Sequence, residues 1–108
     1  MAENRTAENR TYVGERTIDG ARVTVDGREI DPRLDVKTYT DHGFEWSYEG
    51  DGPRQLALAI LAEHMGDPQA ALDYVEPFMQ RVVANFDNDW EMTSADIERA
   101  LENIRVAA

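Results

Sequence analysis

Two short constellations in this 108-residue chain combine groups able to move protons or hold cations. Asp41-His42 with Glu45 is one, and His64 with Asp67 is the other. An imidazole beside a carboxylate can act as an acid–base pair, and the same groups can ligate a metal. With two histidines and no cysteine in the whole chain, neither a His-rich nor a thiolate site can be built, so no metal and no cofactor is expected. His64 falls near the end of a predicted helix, where an imidazolium is favoured by the helix dipole. That structural role accounts for it. No serine sits in a nucleophile-elbow pattern, and no carboxylate pair stands out from the acidic background, so no catalytic residue is assigned.

Two further arrangements suit binding. Gly50-Asp51-Gly52-Pro53-Arg54 leads into a helix predicted to begin at Pro53, and the free N–H groups of such a terminus can hold an anion. Asp51 would repel a phosphate while Arg54 would attract one, and the segment fits no phosphate-loop or dinucleotide signature. Just before it, Phe44, Trp46 and Tyr48 alternate with polar residues, so in a strand all three rings project to one side. Packed under the following helix they are core. Exposed, they form a stacking surface. Trp46, Tyr48, Asp51, Gly52 and Arg54 are accordingly the expected ligand or partner contacts.

The elements that must carry these groups are legible from periodicity. The chain opens with a duplicated pentapeptide, Ala2–Thr6 and Ala7–Thr11, too short to be a structural repeat. Residues 1–10 are read as a disordered tail and 11–108 as a single α+β domain. Tyr12 to Thr17 reads as a strand. Ala21–Val25 alternates, with Val23 and Val25 on one face, and Asp26-Gly27 supplies a two-residue hairpin turn into Arg28-Glu29-Ile30. Leu34 to Thr40 reads as an edge strand or an extended loop, with Leu34, Val36 and Tyr39 pointing inward.

A helix from Pro53 to Met65, apolar on two opposite sides, reads as central. Asp67-Pro68 starts the next, whose stripe runs Leu72, Val75, Met79, Val82, Phe86. Pro77 removes the N–H due to the Asp73 carbonyl, which predicts a kink or two short helices meeting near Glu76. After a short extended piece at Trp90–Met92, Thr93-Ser-Ala-Asp96 resembles a capping box. The helix that follows carries Ile97, Leu101 and Ile104. Strands first and helices second predict a small antiparallel sheet of N-terminal strands, packed on one face by three C-terminal helices.

Twenty-two acids against eleven bases give a net charge of −11, and Lys37 is the sole lysine. Acids spread over the surface suit multimolar salt, where the Debye length falls to about 3 Å and self-repulsion is screened. The charge argues against nucleic acid as a partner. No apolar run is long enough for a membrane span and the N-terminus has no signal-peptide pattern, so a cytoplasmic protein is expected.

Gly43-Phe44-x-Trp46-x-Tyr48-x-Gly50-x-Gly52-Pro53-x-Gln55-Leu56-Ala57-Leu58-Ala59 resembles the hallmark of a family of small bacterial and archaeal proteins, a domain of unknown function. Tyr12-x-Gly14, Val23-x-Val25-x-Gly27 and Trp90 fit the same pattern, here of a halophilic archaeal type. The chain departs from it at Ser47, Glu49 and Asp51, where small residues are usual. The resemblance implies no particular activity. Three functions are weighed. The first is a noncatalytic binding or accessory domain of a halophilic prokaryote, meeting a protein partner or a second copy through Glu49–Arg54. The second is a small hydrolase-like or anion-binding enzyme at the loop before the central helix, using Asp41, His42 and Glu45 or Asp51. The third is an acidic decoy for a basic or DNA-binding protein.

Overall fold

The computed structural model describes residues 9–107. The expected tail lies outside the described residues but for its last two. Of these, Arg10 is bonded into the domain: its N–H donates to Ser94 Oγ (3.0 Å), and its carbonyl accepts from the Ser94 N–H (3.0 Å).

Three strands open the domain: β1 (Thr11–Thr17), β2 (Gly20–Val25) and β3 (Arg28–Glu29). Asp26 and Gly27 both take positive φ, 51° and 89°. This is the twist a two-residue hairpin turn requires, and it sets the register Val25 to Arg28. The fourth strand, β4 (Trp90–Thr93), pairs antiparallel with β1 and completes a sheet of order β3-β2-β1-β4. Read alone, Trp90–Met92 is only a short extended piece. Its place beside β1 is a long-range pairing that no local pattern encodes.

One face of the sheet carries two rows, Val25–Tyr12–Met92 and Val23–Gly14–Trp90, all buried. Above them lie the helices α1 (Asp51–Met65), α2 (Pro68–Leu72), α3 (Val75–Arg81) and α4 (Ser94–Ala107). Pro53 and every residue from Gln55 to Ala62 are buried. The two-sided apolar pattern of α1 is thus that of a central helix, and neither of its apolar sides is left open. The expected α+β architecture is present, with helices gathered on one face of a small antiparallel sheet.

The second helical stretch breaks, as Pro77 requires, but at Asp73-Tyr74 rather than at Glu76, leaving Pro77 in the first turn of α3 where its missing N–H costs little. The break shifts the helical phase. Phe78 and Val83, outside the predicted stripe, become fully buried, while Leu72, Val82 and Phe86 are only partly so. Asp67 caps α2, accepting from the Ala70 N–H at 3.1 Å. The box at α4 closes both ways: Thr93 N–H donates to Asp96 Oδ2 (2.9 Å), and Asp96 N–H donates to Thr93 Oγ1 (3.2 Å). Among the described residues no helix is long and apolar enough to cross a membrane.

Of the two readings of residues 34–40 the loop is the one present, with Val36 and Tyr39 packed on the core; the inward placing of Leu34 needs correction, since it is exposed. So does the reading of the next segment. The Phe44–Tyr48 segment is not a strand, and its rings do not share one side. Ser47 takes φ 80°, a left-handed value that breaks the alternation. Trp46 turns wholly inward, Phe44 is half-buried and Tyr48 points out, 50% exposed.

Candidate functional site

The loop from Tyr39 to Gly50 and the first turn of α1 bring together most of the residues expected to make contacts. Each is held by a distinct local cause. Trp46 is fully buried; its Nε1–H donates to the Asn88 carbonyl at 3.1 Å, and its ring meets Trp90 edge-on, centroids 5.8 Å apart at 86°. The Arg16 guanidinium lies 4.5 Å from the Trp46 ring centroid and donates to Glu45 Oε1 (2.8 Å), the Trp46 carbonyl (3.2 Å) and Asn88 Oδ1 (3.3 Å). One arginine on β1 therefore clamps two loops. Ser47 adds the other side, its N–H donating to the Val83 carbonyl (3.1 Å) and its hydroxyl to the Phe86 carbonyl (2.6 Å).

The two motif glycines are close approaches. A β-carbon at Gly50 would stand 2.7 Å from the Tyr48 ring, and one at Gly52 would stand 2.8 Å from Glu45 Cβ. Gly52 is thus a packing position under the loop. Gln55, 1% exposed, is the organising polar group. Its Oε1 accepts from the Tyr39 and Thr40 N–H groups (2.7 and 3.2 Å), and its Nε2 donates to the Pro32 and Lys37 carbonyls (2.7 and 3.0 Å). Every donor and acceptor of the amide is used, so it ties the 32–40 loop to α1 at no desolvation penalty.

The charged groups at the helix start are spoken for. Arg54 makes a two-pronged pair with Glu76 (2.8 and 3.1 Å) and reaches Asp51 (3.0 Å). Its guanidinium beside Glu76 holds that carboxyl below the usual range. Glu49, Asp51 and Tyr48 are exposed. The acid–base constellations do not converge. Asp41 and His42 pair with each other at 3.2 Å, both mostly in solvent. Glu45 is taken by Arg16. His64 is separate, its side chain 6% exposed, with Nε2 2.5 Å from Glu98 on α4. Among the described residues no three metal-ligating side chains group together.

Sequence reasoning missed Arg16, whose neighbours in the chain give no hint of a partner 30 residues away. It also gave Gln55 no role, although its lone polar character inside Gln-Leu-Ala-Leu-Ala marks it.

A four-stranded antiparallel sheet roofed on one face by helices, with a glycine-bounded loop feeding the central helix, defines a small α+β fold. The chain belongs to a family of unknown function, DUF6166, which matches residues 12–103. No curated protein and no solved structure matches it. In this fold Trp46, Gly50, Gly52 and Gln55 build the loop, while Gly14 meets Trp90 across the sheet.

Proposed function

We propose that this chain is a noncatalytic binding domain of a halophilic prokaryote, acting in a salty cytoplasm and meeting a protein partner through the Glu49–Arg54 loop. One observation carries the reading. The groups able to do chemistry are dispersed and paired off, while the loop is locked by Arg16, Ser47 and Gln55 with Tyr48, Glu49 and Asp51 turned outward. A surface ordered before it binds loses little entropy on association. Trp46 and Gly52 then act from beneath, as supports, and Arg54 positions Asp51.

Affinity capture with the wild type and with Tyr48→Ala tests the contact. A partner retained by the first and lost by the second, at equal thermal stability, supports it; equal capture by both refutes it. The halophilic element is tested by circular dichroism melts from dilute buffer to multimolar KCl. A net charge of −11 predicts a rising midpoint, and a flat one removes the argument. The anion-binding alternative predicts that phosphate raises the midpoint at constant ionic strength. Asp51 in the first turn and the engagement of Arg54 argue for no shift.

A further inference from the structure

A second surface lies at the other end of the same loop. The Asp26 N–H donates to the Thr11 carbonyl (2.9 Å), which places the hydrogen-bonded pairs of β1 and β2 at Thr24, Arg22 and Gly20. The intervening residues Ala21, Val23 and Val25 must turn their main-chain groups to the opposite edge. There β3 covers only part of β2: Arg28 meets Val25, the Ile30 N–H donates to the Val23 carbonyl (3.1 Å), and the chain leaves at Asp31-Pro32. The N–H and carbonyl of Ala21 and the N–H of Val23 have no main-chain partner among the described residues. A strand edge left in this way is a template for another strand.

The edge does not face bare solvent. It borders a cleft of about 420 Å³ lined by Ala21, Val23, Ile30 and Phe44. Phe44 is shared with a second hollow of about 160 Å³ that takes in Pro32 and Leu34. Ile18, fully exposed, lies in sequence between the cleft residues Thr17 and Asp19, and the exposed Leu34 lines the hollow. The rim is acidic: Asp19 and Glu29 on the cleft and Asp41 on the hollow. Its one cation, Arg22, is already 3.5 Å from Glu29.

We propose that the open edge of β2 receives an extended segment of a partner protein by strand addition. The segment sets an apolar side chain against Phe44 and Ile30, and lysine or arginine beside Asp19 and Asp41. Main-chain bonds to Ala21 and Val23 supply pairing, and the cleft and rim supply selectivity. A second copy of this chain, itself at −11, is the wrong charge for that rim. The inference rests on the reading of the chain as a binding domain and uses a different face from Tyr48.

The test is amide-resolved NMR of the full chain with an acetylated, amidated peptide Gly-Lys-Val-Thr-Val-Arg-Gly, and with the same peptide carrying glutamate in place of lysine and arginine. The expected result is shifted and exchange-protected Ala21 and Val23 amides. Affinity for the glutamate peptide falls at least ten-fold in dilute buffer. Ala21→Pro, which removes an N–H that has no main-chain partner among the described residues, weakens binding at least ten-fold. Should that variant melt early, the exposed pair Asp19→Lys and Asp41→Lys gives the same reading through charge. Equal affinity for both peptides, silence at Ala21 and Val23, or self-association through those two residues overturns the proposal. Shifts confined to Tyr48–Asp51 overturn it too while leaving the binding-domain reading intact.

Discussion

The indole of Trp90 lies against the backbone of Gly14: a β-carbon at Gly14 would stand 2.1 Å from the Trp90 Nε1. The two residues face each other across β1 and β4, and Phe86 stacks on the indole at 4.2 Å. Glycine here makes room for a ring, and the fourth strand closes on the sheet through that contact. Gly14→Ala is therefore expected to destabilise by about 3 kcal/mol, the upper end of overpacking. In a Trp90→Leu background the same change should cost much less, a coupling that urea melts of the double-mutant cycle measure.

Gln55 makes all of its hydrogen bonds to main chain of the 32–40 loop. Gln55→Leu leaves two N–H groups and two carbonyls without the partner they had, at about 1–3 kcal/mol for each that stays buried. Loss of hydrogen-exchange protection at the Tyr39 and Thr40 amides, with α1 still protected, is the expected signature. Gln55→Glu sharpens the test, because a carboxylate facing the Pro32 and Lys37 carbonyls is repelled and its pKa rises. A group with a raised folded pKa stabilises when protonated, so this variant should gain stability as pH falls toward 4 and lose it as pH rises.

Tyr12 sits wholly inside the core, and its hydroxyl has no hydrogen-bond partner among the described residues. Burial pushes its pKa up to about 12, against about 10 in the unfolded chain. Between those values the unfolded state loses its proton first, so stability should decline as pH rises from 10 to 12. Tyr12→Phe removes both the orphan hydroxyl and the titration. It is expected to be neutral or stabilising by up to about 1 kcal/mol at pH 7, and to flatten the alkaline limb of a denaturation profile.

Asp96 closes the cap of α4. Hydrogen bonds from the Thr93 N–H and hydroxyl side, followed by the nearby Arg99, hold its carboxyl below the usual range. A depressed folded pKa gives stability that is present above the unfolded value near 4 and is lost as pH falls through the folded one. Asp96→Ala should cost about 1 kcal/mol at neutral pH and make the acid limb of the melting profile shallower.

Local rules written into the chain settled much of this domain. Asp26-Gly27 dictated its hairpin because both positions tolerate left-handed φ. The two-sided apolar pattern of Leu56–Leu61 dictated a central helix, and Pro77 dictated a break because it lacks a donor. Each is an interaction within a few residues, where spacing and geometry are the same thing. What tertiary structure decided lies at long range: β4 beside β1, Trp46 inward and Tyr48 outward, Arg16 clamping two loops, and an edge of β2 left uncovered. Phe44, Trp46 and Tyr48 have the spacing of a strand. The Ser47 N–H bonded to Val83 and its hydroxyl bonded to Phe86, residues far along the chain, hold that segment in another shape. Periodicity within a segment carries no information about a partner the segment has yet to meet.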